Sequence, residues 1–116
     1  MKYRSKEEKA IDFIALEILK GRLKDKDKLY DIKFFTNKFK LSPRCVKAIF
    51  KTLEERKMLE KIGDEYYLRV DDKLMKSLRE RFYNRYINEF LENMRGLDLG
   101  LGEAIGLLEM RNKSNG

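Results

Sequence analysis

A run of basic side chains between residues 33 and 51 is the clearest chemical feature of this 116-residue sequence. It contains no acidic residue, and its six cations are Lys33, Lys38, Lys40, Arg44, Lys47 and Lys51. Ammonium and guanidinium groups donate strong hydrogen bonds to phosphate oxygens, and nucleic acid is the commonest polyanion that such groups bind. The run therefore indicates a polyanion-binding surface, with double-stranded DNA as the expected partner.

The net charge of the chain is unevenly distributed. Residues 1–62 contain 18 Lys and Arg against 10 Asp and Glu, whereas residues 63–116 contain 9 against 10. A diffuse excess of lysine mainly favours solubility. Because the excess here coincides with the basic run, we favour a binding role over a solubilising one.

A helix starting near Pro43 is expected to position these cations. Ser42 is a good N-cap, and Pro43 falls at the first helical position, where its missing N–H does no harm. An apolar stripe with helical spacing follows at Val46, Ile49, Phe50 and Leu53. This spacing directs Arg44, Lys47 and Lys51 to the other side of the helix, away from the core.

The elements around this helix complete a recognisable arrangement. Phe35 and Phe39 share one face of a short preceding helix. Gly63-Asp64, flanked by apolar and aromatic residues, is a hairpin turn signal, and Leu29-Tyr30 is a candidate third strand. A helix-turn-helix followed by a hairpin is a winged helix, whose second helix fits the major groove of DNA.

Three further helices are predicted, one at the start of the chain and two at its end. Ser5 and Glu8 form a capping box for a helix from about Lys6 to Lys20, which Gly21 ends. A long helix follows Asp71-Asp72 and ends near Met94 or Arg95. Its apolar surface is too broad for a short closing helix to cover, so we expect a symmetric homodimer. The residues expected in the dimer contact are Leu78, Phe82, Tyr86, Phe90, Leu101, Ile105 and Leu108.

The sequence resembles the GntR family of bacterial transcription regulators. The residues in register with the family pattern are Gly21, Leu23, Asp27, Leu29, Ile32, Ser42, Pro43, Val46, Leu53, Glu54 and Gly63. The tail from Gly96 to Glu109 is similar to the closing helix of the small YtrA-type branch, which has two C-terminal helices in place of a large effector domain. The resemblance implies a homodimeric regulator, expected to be a repressor, that binds a palindromic operator.

Five positions depart from the family pattern. Tyr30 and Asp31 stand where the family has Pro and Ser, Lys33 replaces Arg, Cys45 replaces Thr, and Glu65 replaces the second wing Gly. Lysine cannot form the bidentate contact of arginine, and a carboxylate on the wing is repelled by phosphate. Two alternatives to a specific regulator therefore stay open. The domain binds another protein, or it binds nucleic acid without sequence preference.

The expected fold is mainly α (α+β), a winged helix-turn-helix DNA-binding domain over residues 1–70 and a helical dimerisation region over residues 71–116. Arg44 is expected to read a base edge, because its guanidinium matches guanine N7 and O6. Lys33, Lys47 and Lys51 are expected on phosphates, and Ser42 is expected to cap its helix and touch phosphate. Lys61 and Tyr66 are expected near the minor groove.

The composition argues against several other classes of protein. The chain has no His and a single Cys, so it offers no Cys/His zinc site, no intrachain disulfide and no histidine base. We take Cys45 as a packing residue rather than a redox sensor. We expect no enzyme activity, no cofactor, no metal and no membrane association. The cytoplasm is the default location, and the sequence does not identify an effector.

Overall fold

The computed structural model describes residues 4–115, which form five helices and a two-stranded antiparallel sheet. The elements in chain order are α1 (Lys6–Leu19), α2 (Ile32–Phe39), α3 (Pro43–Glu55), β1 (Leu59–Ile62), β2 (Glu65–Leu68), α4 (Asp72–Gly96) and α5 (Leu101–Asn115). The helix-turn-helix is α2 and α3, and the hairpin of β1 and β2 is the wing. The predicted mainly helical, winged-helix class is confirmed.

The capping box predicted for α1 is present. The Ser5 hydroxyl accepts the Glu8 N–H at 3.1 Å, and the Glu8 carboxylate accepts the Ser5 N–H at 3.3 Å. The helix buries Ala10, Ile14 and Ile18, which are spaced at four-residue intervals on one face. That face packs on α2 and α3, so α1 supports the helix-turn-helix from behind.

Side-chain caps start both helices of the helix-turn-helix. The Asp31 carboxylate accepts the Phe34 N–H at 2.9 Å, and the Ser42 hydroxyl accepts the Cys45 N–H at 3.1 Å. Between the two helices, Lys40 adopts a left-handed conformation with φ 57°, which reverses the chain. Asp31, one of the departures from the family pattern, therefore acts as an N-cap.

Aromatic packing joins the first three helices. Phe35 is fully buried, and its ring meets Phe50 of α3 edge to face with centroids 5.4 Å apart. Phe13 of α1 contacts Phe39 of α2 in the same geometry at 5.6 Å. Truncating a buried Phe to Ala typically costs about 3 to 5 kcal/mol, so Phe35 strongly stabilises the orientation of α3 against α2.

A buried carboxylate anchors the segment that leads into α2. Glu17 is only 6% exposed, and it accepts hydrogen bonds from the Arg22 guanidinium and the Tyr30 hydroxyl, each at 3.1 Å. Burial, followed by the hydrogen bond to Glu17, raises the pKa of the Tyr30 phenol. Tyr30 also packs on Phe34 at 4.5 Å, so the residue that replaces the family Pro has a defined packing role.

The wing has the predicted turn at Gly63-Asp64, with Leu59 opposite Leu68 and Lys61 opposite Tyr66. Gly63 has φ 64°, a conformation that glycine adopts without a steric penalty. The predicted third strand at Leu29-Tyr30 was misplaced by one or two residues. The pairing with β2 involves Lys26–Leu29, through a bridge from Lys28 to Tyr67 and a Leu29 N–H to Tyr66 carbonyl bond of 2.8 Å.

The chain divides into two compact units, an N-terminal unit up to Arg79 and a C-terminal unit from Glu80 onward, with the boundary inside α4. The Asp71 carboxylate accepts the Leu74 N–H at 2.7 Å and so caps α4. The helix ends at Gly96, one or two residues beyond the predicted end. In the connection to α5, Asp98 takes the left-handed conformation with φ 59°.

Candidate nucleic-acid interface

The outer face of α3 carries the central cations of the basic run. Its inner face is fixed by four buried residues, Val46, Ile49, Phe50 and Leu53. Arg44, Lys47 and Lys51 are exposed on the other side, at spacings of three and four residues that align them along the helix. We call these three residues the recognition stripe.

The recognition stripe is not neutralised by salt bridges within residues 4–115. The salt bridges found among residues 4–115 involve other side chains, and none includes Arg44, Lys47 or Lys51. Leaving three cations in a row on one helix is unfavourable by mutual repulsion unless an external anion accompanies them. The arrangement therefore suits an extended polyanion better than a structural ion-pair network.

Two further predicted contacts lie close to the starts of the two helices. Ser42 is exposed, and its hydroxyl oxygen accepts from Cys45, so the hydroxyl proton remains able to bond a phosphate. Lys33 is exposed in the first turn of α2, which packs on α3. Both residues are accessible, as a phosphate contact requires.

Tyr66 and Lys61 lie on the wing face that turns toward α3. The Tyr66 ring is half-buried and meets Phe50 at 5.2 Å, while the Lys61 ammonium lies 5.9 Å from the Tyr66 ring centroid. Tyr66 therefore couples the wing to α3 through packing, a role that the sequence did not suggest. Lys61 is exposed and remains accessible to a polyanion.

Glu65, the departure at the wing, is engaged by the protein. Its carboxylate accepts a 2.7 Å bond from the Lys28 ammonium and a 3.1 Å bond from the Tyr67 hydroxyl. These bonds hold the pKa of Glu65 below its ordinary value, with Lys28 as the larger cause. Conversely, Glu65 raises the pKa values of Lys28 and Tyr67. The sequence did not indicate this pair, because its members lie 37 positions apart.

The tip of the wing is nonetheless acidic. Asp64 and Glu65 are adjacent, both are exposed, and only Glu65 has a lysine partner in the described part of the chain. Negative charge at this point opposes close approach to phosphates. The basic side of the interface is accordingly the recognition stripe rather than the wing tip.

The residues predicted for dimer contact separate into two groups. Leu78 and Phe82 are buried within the single chain, and Phe90 is half-buried. Tyr86, Leu101, Ile105 and Leu108 are between 45% and 62% exposed. The prediction did not include five other exposed apolar residues of the C-terminal unit, Tyr83, Ile87, Leu97, Leu107 and Met110. Tyr83 and Ile87 were detectable from the four-residue spacing beside the main stripe of α4.

Residues 4–115 contain neither a cluster of metal ligands nor a membrane-spanning helix. No group of three or more His, Cys, Asp or Glu side chains in that range could hold a metal ion. Cys45 is a half-buried free thiol. None of the described helices is long and apolar enough to cross a bilayer.

Solved structures of transcription regulators have the same fold. A GntR family transcriptional regulator from Listeria monocytogenes matches with a TM-score of 0.75 at 19% identity, covering 95% of this chain and 97% of its own. A transcriptional regulator from Oenococcus oeni matches with a TM-score of 0.67 at 21% identity, covering 100% and 95%.

A third similar structure is that of BusR from S. agalactiae in complex with its busAB-promotor DNA. Its TM-score is 0.57 at 17% identity, with 98% of this chain and 58% of the BusR chain covered. No family model and no curated protein matches the sequence. At these identities, the likeness establishes the fold of GntR-family transcription regulators for nearly the whole chain.

Proposed function

We propose that this chain is a sequence-specific DNA-binding regulator of the GntR family, of the small type with two C-terminal helices. The observation that carries the proposal is the recognition stripe, three exposed cations without a salt bridge in residues 4–115, on the second helix of a winged helix-turn-helix. That helix is the one such folds insert into the major groove. The complex of BusR with its promotor DNA supports this use of the fold.

Within the stripe, we assign different tasks to arginine and lysine. Arg44 lies in the first turn of α3, the end of a recognition helix that reaches base edges, and its planar fork suits guanine. Lys47 and Lys51, together with Lys33 and Ser42, position the protein on the phosphate backbone. We propose that Lys61, which is exposed on the wing, contacts phosphate from that side.

We infer that the functional form is a homodimer. The described part of the C-terminal unit exposes nine large apolar side chains, a surface much richer in apolar groups than a small soluble unit normally leaves uncovered. A second copy of the same unit is the natural partner, because a two-fold contact buries the same patch on both chains. We propose that residues 1–70 bind DNA and that residues 71–116 dimerise through these apolar side chains, which lie from Tyr83 onward.

A dimer presents two recognition helices, which fit two half-sites about one helical turn apart, so the expected operator is a palindrome. Occupying such a site within a promoter blocks transcription, and we therefore propose a repressor. The protein then acts in the cytoplasm, as a regulator and not as an enzyme.

A salt titration of duplex binding tests this proposal. An operator is first selected from a random duplex pool, and its affinity is compared with that of a scrambled duplex between about 50 and 200 mM salt. We expect a steep salt dependence and at least about 1000-fold preference for the selected palindrome. Non-specific binding, which the replacement of the family Arg by Lys33 favours, keeps the salt dependence and loses the preference. A protein-binding module shows neither.

A further inference from the structure

An open groove of about 1050 Å³ lies within the N-terminal unit, away from the recognition stripe. Its walls are the end of α3, the outer face of the wing, the loop at Asp25-Lys26 and the first turns of α4. The volume slightly exceeds the range of about 300 to 1,000 Å³ that is usual for small-molecule sites, as expected for a groove that is open to solvent. No part of the proposed DNA contact uses this groove.

Strand alternation separates the groove from the recognition side. Lys61 and Tyr66 are opposite each other on the wing face that packs toward α3. Glu60 and Tyr67, the adjacent opposed pair, point to the other face and line the groove. The wing therefore has one face on the DNA-reading helix and another on this separate groove.

The groove is lined by more cations than anions. Five basic residues, Lys26, Arg56, Lys57, Arg69 and Lys73, face three carboxylates. Two of those carboxylates already accept backbone N–H groups, Asp25 from Val70 at 2.8 Å and Asp71 from Leu74 at 2.7 Å. The groove accordingly retains free donor capacity that its own acids do not satisfy.

Backbone geometry brings the main cations together. Arg56 is the C-cap of α3, and Lys57 follows it in a left-handed conformation with φ 62°. The Arg69 N–H donates to the Met58 carbonyl at 2.9 Å, which ties the segment after β2 to the segment after α3. Within residues 4–115, Arg56, Lys57 and Arg69 form no salt bridge. The main chain thus places three like charges on neighbouring segments, and none of the groove's carboxylates lies within salt-bridge distance of them.

Apolar surface lies beside these cations. Ile62, at the end of β1, is 57% exposed although it is a large aliphatic residue, and the half-buried ring of Tyr67 lies near it on the groove side. A flat ring and an exposed aliphatic side chain form a platform for an aromatic group. Clustered cations beside such a platform match a molecule with phosphates at one end and a ring at the other.

We propose that this groove binds a small nucleotide-like anion, with at least two phosphate groups on Arg56, Lys57 and Arg69 and a planar ring against Tyr67 and Ile62. Arginine provides the paired donors that phosphate oxygens accept. The site would give the N-terminal unit itself a place for a small-molecule signal. It does not depend on the proposed DNA binding, since the two surfaces share none of their cations.

Titration of the full chain with ATP, in the absence of divalent metal, tests the proposal by two-dimensional NMR of its backbone amides. Inorganic pyrophosphate is titrated separately as a probe that lacks the ring. We expect ATP to shift the amides of residues 56–60 and 67–69, and pyrophosphate to shift the same region with roughly tenfold weaker affinity. Arg56→Gln and Arg69→Gln should each weaken ATP binding roughly tenfold, as expected for one lost charge-assisted contact. The control variant Lys47→Ala lies on the recognition stripe, and it should leave the affinity for ATP unchanged.

The same spectra contain the results that overturn the site. No amide shift with ATP, or shifts centred on residues 44–51 and lost in Lys47→Ala, shows that the groove takes no such ligand. A scrambled DNA duplex is a third probe. If it shifts residues 56–60 and 67–69 and competes with ATP for them, the groove is part of a nucleic-acid surface and the small-molecule proposal is wrong. Both arginine side chains are exposed, and an unchanged amide pattern in the variants confirms that they fold.

Discussion

The ammonium of Lys28 lies 2.7 Å from the Glu65 carboxylate and joins the segment before α2 to the first residue of β2. Both side chains are about half exposed, and the Tyr67 hydroxyl donates to the same carboxylate. The acidic residue that departs from the family pattern at the wing is thus largely neutralised by a lysine that the family pattern does not single out. The pair accounts for how a carboxylate is tolerated on the wing of an otherwise basic N-terminal unit.

Lys28→Met should raise the pKa of Glu65 toward its ordinary value of 4.5, because Lys28 is the larger cause of the depression. A depressed carboxylate pKa stabilises the fold above about pH 4.5, and this contribution is lost as the pH falls through the folded-state pKa. NMR titration of the Glu65 side chain measures the shift directly. An identical pKa of Glu65 in Lys28→Met and in the parent chain contradicts Lys28 as the main cause. Lys26→Met is the control, because it also removes one positive charge nearby.

Tyr30→Phe should destabilise the fold by about 1 to 2 kcal/mol, because it removes one of two side-chain donors to a carboxylate that is almost fully buried. Thermal or urea unfolding measures the change. Tyr83→Phe removes a hydroxyl from a residue that is 60% exposed and should leave the free energy of unfolding within about 0.5 kcal/mol of the parent. Equal effects of the two variants mean that the Glu17 bond contributes nothing.

Lys47→Ala should weaken binding to every duplex by a similar factor and reduce the slope of log affinity against log salt by about one. The reason is that a lysine on phosphate contributes counterion release without base information. Electrophoretic or fluorescence binding assays at several salt concentrations measure the slope. Lys20→Ala is the control, because it also removes one positive charge but does so at the exposed end of α1. It should leave the salt slope unaltered.

Arg44→Ala should relax sequence preference at one position in each half-site, at a cost of about 1 to 3 kcal/mol for the preferred base. Repeating the duplex selection with this variant identifies the position. Arg44→Lys keeps the charge and loses the bidentate fork, so it should also lose the preference while retaining the salt slope. A uniform loss on all sequences places Arg44 on phosphate instead.

Leu108→Glu should convert the proposed dimer to a monomer, since it places a charge within the exposed apolar surface of α5. Sedimentation velocity distinguishes 13.9 kDa from twice that mass. The volume-conserving Leu108→Met should remain dimeric. The proposed dimer is wrong if the parent chain sediments as a monomer at micromolar concentration.

Local signals in the sequence were sufficient for most of the fold. Ser5 with Glu8, Ser42 with Pro43, and Gly63-Asp64 each act through bonds or dihedral angles within a few residues, so their effects were predictable. The exposure of the recognition stripe was predictable from the spacing of Val46 and its apolar neighbours. Those residues define the core face of α3, and side chains on the opposite face are exposed.

Contacts between distant segments were not predictable from spacing. Nothing in the pattern of α1 distinguishes Glu17 as the one acidic residue that becomes buried, because its partners Arg22 and Tyr30 lie outside the helix. The same holds for Lys28 with Glu65. Leu78 and Phe82 show a related difficulty, since an apolar stripe does not reveal which of its members the chain covers by itself.

The acidic wing tip has a consequence for how the molecule first meets a duplex. Phosphates attract the cations of α3 and repel Asp64, which forms no salt bridge within residues 4–115, so a torque acts on the protein before any contact forms. Collisions in which the wing hairpin points toward the DNA are disfavoured, and collisions in which α3 points toward the DNA are favoured. The cations of α3 and the acidic wing tip thereby orient the protein before it touches the duplex. This orientation increases the fraction of collisions that lead to binding.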